Sequence, residues 1–253
     1  MSDFDRNVAA ARGGYATDRA LAIDAGLRAH MIRVYNLMAG AVALTGVVAW
    51  LTFSLSATTT ATGALALTPL GQVLFGSPLM WVLVLAPLAL VFFISFRIDR
   101  IEAGTALTLF LVFATLLGIS LATIFIAYTS TSITRVFFIS AASFGALSLY
   151  GYTTKRNLSA IGSFLIMGLI GIIIASLVNL FLQSSAMQFI ISVVGVLVFA
   201  GLTAWDTQKI KEMYDVNDDG TVSGRKAVMG ALTLYLDFIN LFLMLLRLFG
   251  DRR

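Results

Sequence analysis

The sequence predicts an all-α integral membrane protein with seven transmembrane helices, and three observations carry that expectation. The chain of 253 residues is 59% hydrophobic and only 12% charged, about half the roughly 25% of charge with which a soluble domain faces water. Its mean hydropathy is +0.93. Its apolar residues fall into long runs, each approaching the roughly 20 residues a helix needs to cross a hydrocarbon core about 30 Å thick.

The runs lie near Val34–Leu55, Leu79–Phe96, Thr105–Tyr128, Ile133–Tyr150, Leu158–Leu182, Met187–Thr207 and Val228–Phe249. The polar breaks at Arg97–Glu102 and Lys155–Arg156 are short, so the helices beside them pack as antiparallel hairpins. Residues 1–33 form a polar N-terminal tail with five arginines and four aspartates, and residues 34–253 form the membrane domain. Within the tail, Thr17-Asp18 is placed to cap a short helix carrying Leu21, Leu27 and Met31 on one side. That helix would lie on the membrane surface or belong to an ordinary tail. No signal peptide precedes the first apolar run.

Orientation follows from the loops. The tail, Arg97–Glu102, Lys155–Arg156 and Lys209–Lys226 carry most of the Lys and Arg, whereas Ser56–Ser77, Thr129–Ile133 and Gln183–Ala186 carry no charge. The positive-inside rule makes the first set cytoplasmic. The N-terminus is then inside and the C-terminus outside, although Asp251-Arg252-Arg253 argues against a full crossing by the last helix. The Thr- and Gly-rich stretch after the first span reads as a flexible outer loop. Gly162, Gly168 and Gly171 allow close helix approach, with a hinge as the alternative.

Several chemistries are excluded. There is no cysteine, hence no disulfide framework, thiol catalysis or Cys-ligated metal. A lone His30 disfavours a histidine metal cluster or a Ser-His-Asp triad. The net charge of +4 is distributed over loops as topology demands, not in the stripe that would bind nucleic acid.

Ionisable groups in a membrane span are costly and mark ion paths, proton relays or catalysis. Two aspartates stand out. Asp206 lies in Thr203–Gln208 and Asp237 in Leu234–Asn240. They are equidistant from the loop centre near Thr221. If one helix runs to about Tyr214 and the next starts near Met229, each aspartate lies about eight residues, or roughly 12 Å, from its helix end. Antiparallel neighbours would then bring the carboxyls together. Close carboxyls in a low dielectric cannot both ionise cheaply, so the pair holds one proton in common and responds to pH as a unit. The competing arrangement puts Asp206 at the water boundary and pairs Asp237 with Asn240, one turn away on its own helix. Arg97 and Arg100 are at a comparable membrane level, either as a latch on an aspartate or as positive-inside anchors.

The stretch Gly230–Gly250 resembles the C-terminal signature of the Bax inhibitor-1 (transmembrane Bax-inhibitor-motif) family, and Trp205–Ile210 is similar to its helix-six signature. The likeness extends through helix count, loop polarity and the glycine after the helix-two basic loop. It implies two three-helix layers around a central C-terminal helix, in a bacterial inner-membrane protein. It also implies a pH-sensitive calcium leak gated by a hydrogen-bonded aspartate pair, which falls on Asp206 and Asp237. Calcium would be the permeant or a weakly bound ion, with no cofactor. The family's latch arginine falls near Ile98, so Arg97 or Arg100 would have to replace it. Trp205 stands where a tyrosine is usual.

The loop after Tyr214 resembles the first half of an EF-hand. Asp215, Asn217 and Asp219 take ligand positions one, three and five, and Gly220 the turn position, but position twelve is Lys226 instead of the bidentate Glu. The plain alternative is an acidic turn between helices. Beside the leak, two functions compete. One is a non-conducting regulator that binds a membrane quality-control protease through residues 1–33. The other is an aspartyl intramembrane protease, which would share the two-aspartate arrangement. That enzyme reading is disfavoured because Asp237 follows Leu234-Tyr-Leu, not Gly-x-Gly, so the expectation is a protein that is not an enzyme.

Overall fold

A computed structural model describes residues 3–60 and 65–253, with side chains described from residue 23 onward. Helix α1 (Asp3–Ser56) is continuous through position 33, so no break separates the expected tail from the first span. Its membrane-length part is Ile23–Ser56. The expected cap at Thr17-Asp18 lies among residues whose side chains are outside the described set. The described residues after the first span carry more structure than the sequence implies. Strands β1 (Ala57–Thr59) and β2 (Leu65–Leu67) pair antiparallel, and a short helix α2 (Pro69–Phe75) follows, its first turn closed by Thr68 accepting from the Gly71 amide. Threonines and the Pro69 ring supply that local structure: a capping hydroxyl, then a residue already set at helical φ.

Six long helices complete the chain: α3 (Leu79–Arg97), α4 (Ala103–Ala127), α5 (Ser130–Thr153), α6 (Ser159–Leu182), α7 (Ser185–Glu212) and α8 (Gly220–Phe249). Thr129, Ser184 and Asp219 cap α5, α7 and α8 with side-chain oxygens, satisfying amide groups that neither lipid nor the helix could. With α1 these make seven helices long and apolar enough to cross a membrane among the described residues. The chain is an all-α integral membrane protein.

The helices form two groups around one axis. Helices α1 and α3 pack on α4, and α5 and α6 pack on α7, while α8 touches α1, α4, α5 and α7. The most apolar stretch of α8 is 72% buried, against 39% for α7, the next highest. The outer helices instead show large apolar side chains outward, such as Trp81 and Phe96 of α3 and Phe164 and Phe181 of α6. In water this would be an aggregation surface; in lipid it is the expected exterior. At the centre Tyr235 of α8 meets Phe110 and Phe113 edge-on, with ring centroids 5.6 and 5.7 Å away. Its hydroxyl bonds Thr45 at 2.7 Å, and Thr45 donates to the Ala114 carbonyl at 2.9 Å.

The last helix does run the full length. After it, Asp251 and Arg253 bond to the α4–α5 connection: the Asp251 amide donates to Ser132 Oγ at 2.8 Å and the Arg253 amide to the Ala127 carbonyl at 3.1 Å. Asp251 also pairs with Arg135 at 3.0 Å. The terminal charges thus sit at the same end as the uncharged loops, held by a local pair and by Arg252 over the Tyr128 ring.

Candidate functional site

Asp206 and Asp237 meet where α7 packs against the central helix. Their residues are 7% and 5% exposed, and the two carboxyls lie close enough to act on one another electrostatically. The helix ends differ from the expectation. Helix α7 stops at Glu212, six residues after Asp206, whereas α8 begins at Gly220, seventeen residues before Asp237. The depths still match because residues 213–219 carry the chain past the end of α7, and the first two turns of α8 climb back. The contacts follow that register: Gly230 lies against Ile210, and Gly195 against Met244.

The surroundings of the pair are lopsided. Asp237 Oδ2 is fully buried and has no hydrogen-bond donor from any amide, hydroxyl or ammonium group among the described residues. Asp206 feels one cation, Lys209, whose ammonium lies over the Trp205 ring at 5.2 Å. A carboxyl oxygen that deep is expected to have a partner. The neighbouring acid is Asp206, and two carboxyls can bond one another only if a proton lies between them.

The other expected site residues are elsewhere. Arg97 and Arg100 are exposed at the end of α3 and in the 3-10 turn after it, and neither pairs with an aspartate among the described residues. The latch is therefore absent from this conformation. The reason is architectural: α3 packs on α4, with no substantial contact to α7 or α8, and the turn carrying Arg100 meets α8 near its start, where Arg225 donates to the Asp99 carbonyl. Asn240 does not support the pair either. Its amide donates to the Leu236 carbonyl of its own helix at 2.8 Å.

The acidic loop spends its carboxylates locally. Asp215 accepts from both the backbone and side-chain amides of Asn217 at 2.9 Å, and these bonds, the backbone one first, hold its carboxyl below the usual range. A lowered carboxyl stabilises this turn at neutral pH, and the contribution is lost as pH falls through it. Asp219 caps α8 through the Val222 amide at 2.7 Å, and Lys226 pairs with Asp218. No three acidic or histidine side chains converge among the described residues. The loop is an Asx turn followed by a helix cap, and Lys226 occupies the place of the missing bidentate ligand. Asp219→Ala should lower stability by about 0.5–2 kcal/mol, the range for a lost N-cap, read as an earlier thermal unfolding in detergent.

Two features of the site escaped the sequence. The first is a chain of hydroxyls: Tyr35 of α1 bonds Ser148 of α5 at 2.7 Å, and Ser148 bonds Thr207 of α7 at 2.9 Å. It ends one residue from Asp206. Its signal is Thr203 and Thr207 on one face of α7, four apart, but such residues commonly bond only their own helix. The second is Gln208. Its oxygen accepts from the Leu158 amide and its nitrogen donates to the Arg156 carbonyl, both at 2.8 Å. It thereby fixes the α5–α6 turn to α7 beside the pair. Gln208→Ala should leave two backbone groups unsatisfied and cost about 1–3 kcal/mol, measured by thermal unfolding of the purified protein.

A seven-helix membrane fold around a buried acidic pair defines a narrow class of protein. The chain belongs to the Bax inhibitor-1 family: the family model described as Inhibitor of apoptosis-promoting Bax1 matches residues 27–253. Inner membrane protein YbhL of Escherichia coli (strain K12) is 46% identical over 232 residues, covering 90% of this chain and 94% of that protein. An uncharacterized protein of Rickettsia prowazekii is 47% identical over 237 residues, covering 94% and 95%. A third relative, from Caulobacter vibrioides, is 41% identical over 259 residues, with full coverage of both.

Proposed function

We propose that this protein is a passive, pH-sensitive calcium leak of a bacterial inner membrane, in which Asp206 and Asp237 hold one proton between them and set the gate. The observation that carries the reading is the buried Asp237 oxygen, which has no hydrogen-bond partner among the described residues and belongs to a carboxyl that lies beside that of Asp206. With the proton in place, the pair carries a single negative charge and the α7–α8 interface is closed by hydrogen bonding. Without it, two like charges share a low-dielectric site, and that repulsion either separates the helices or is relieved by a cation. An aspartate pair facing a bundle interior is the kind of group that ion paths use.

The inner-membrane location is the one stated for the Escherichia coli relative. The positive-inside rule applied to the loop charges supports a cytoplasmic N-terminus. We read the pair as a sensor and not a catalytic dyad because Asp237 follows Leu234-Tyr-Leu and not Gly-x-Gly. On this reading the leak uses no cofactor, and its partners are the bilayer and the ion. The test is reconstitution into liposomes loaded with a calcium indicator. Calcium entry should change with pH across the range in which the pair titrates. Liposomes that show no calcium entry above protein-free controls at every pH would overturn the leak.

A further inference from the structure

Helices α1 and α5 are joined by the Tyr35–Ser148 hydrogen bond but otherwise stand apart, leaving a cleft of about 640 Å³. That volume falls within the roughly 300–1,000 Å³ of small-molecule sites. Its walls are almost wholly apolar, with Met38, Val42 and Phe144 inside and Phe238 of the central helix as its floor. Tyr35 and Ser148 satisfy one another, so the cleft makes little demand for water. Apolar cavities of this kind stay dry unless an apolar molecule fills them.

The cleft has a direction. Along α1 it runs from Arg28 to Ala43, about 22 Å at 1.5 Å per residue, somewhat more than one leaflet of a hydrocarbon core about 30 Å thick. Its Arg28 end is exposed, and that guanidinium has no ion-pair partner among the described residues. Tyr152, with Lys211 over its ring at 5.3 Å, closes the same end on α5. A leaflet-deep apolar slot with a free cation at its mouth matches one molecule of the surrounding medium.

We propose that this cleft seats one acyl chain of an anionic phospholipid, with the lipid phosphate at Arg28. The chain covers Phe238, and through it the side of α8 next to Asp237, from the bilayer. A helix of another protein or of a second copy could fill the same apolar walls, but it would bring no anion to the unpaired Arg28. The seat does not depend on the leak reading.

The test uses the full-length protein in nanodiscs of phosphatidylglycerol or phosphatidylcholine. Each holds a trace of the matching phospholipid with a photoreactive acyl chain, and adducts are mapped by peptide mass spectrometry. Adducts should concentrate on the α1 and α5 walls, several-fold above those on the outward face of α6 at Phe164 and Phe181. Phosphatidylglycerol should be preferred, and Arg28→Gln should cut that preference about fivefold, what one basic residue near an anionic surface is worth. Gly145→Leu should remove the cleft adducts while those on α6 persist. A Cβ at Gly145 meets nothing, so this variant fills the cleft without disturbing the fold. Cleft labelling no denser than that of α6, a preference unchanged by Arg28→Gln, or cross-linking between protein copies in place of lipid adducts would each overturn the proposal.

Discussion

Asp237→Asn should abolish the pH dependence of calcium flux while leaving the protein folded. Asparagine has nearly the shape of aspartate, and its amide nitrogen can donate to the Asp206 carboxylate, so the buried site stays hydrogen-bonded without a shared proton. What is lost is the charge that appears when the shared proton leaves. The flux of the variant should therefore be flat across the pH range in which that of the wild type varies. Asp206→Asn should do the same, because a proton held between two carboxyls belongs to neither. The double variant should be no flatter than either single one, the non-additivity expected of groups acting as a unit. Flux from proteoliposomes at a series of pH values measures all three. A pH profile in both single variants matching the wild type would mean that the sensor is elsewhere.

Gly151→Leu should have the largest effect on stability. Gly151 is buried on α5, and a side chain there would run into the backbone of Ala204 on α7. Backbone, unlike a flexible side chain, cannot turn aside. The helices must separate, and that contact lies two residues from Asp206 and three from Ser148. Separation would also stretch the Ser148–Thr207 hydrogen bond, now 2.9 Å. Overpacking of this kind costs about 1–3 kcal/mol before the lost hydrogen bond is counted. Thermal unfolding in detergent should shift clearly downward. Gly145→Leu, two turns earlier on the same helix and facing open space, should shift it little. Equal shifts would show that close approach of α5 and α7 does not hold the bundle together.

The span count was legible because lipid imposes it: each crossing needs a run of apolar residues, and the charged loops between the runs leave little freedom in where they lie. The pairing of Asp206 with Asp237 was legible for a related reason. Two carboxyls in spans joined by one loop have few ways to be buried without meeting. The expected end near Tyr214 falls within two residues of the end of α7, but the expected start near Met229 was misplaced. Asp219 caps α8 well before its apolar run begins, so polarity alone hid two helical turns. The order of the loop after the first span was missed because a short hairpin has too few residues to show a period. The latch was an inference from membrane depth, and depth does not say which helices are neighbours. Arg97 ends a helix that does not reach the pair, and Arg100 lies in a turn that meets only the start of α8. The tie made by Gln208 was out of reach for another reason: a glutamine at a helix end looks solvated until its two backbone partners on another turn are seen.

The shared proton is the claim on which the gating account turns, and infrared spectroscopy of the purified protein reads it most directly. A protonated carboxyl has its own carbonyl stretching band, distinct from that of a carboxylate. One such band should titrate with pH in the wild type and vanish in Asp206→Asn and in Asp237→Asn alike. A band that survives one of those substitutions, or a wild type in which no carboxylic acid can be detected, would contradict it.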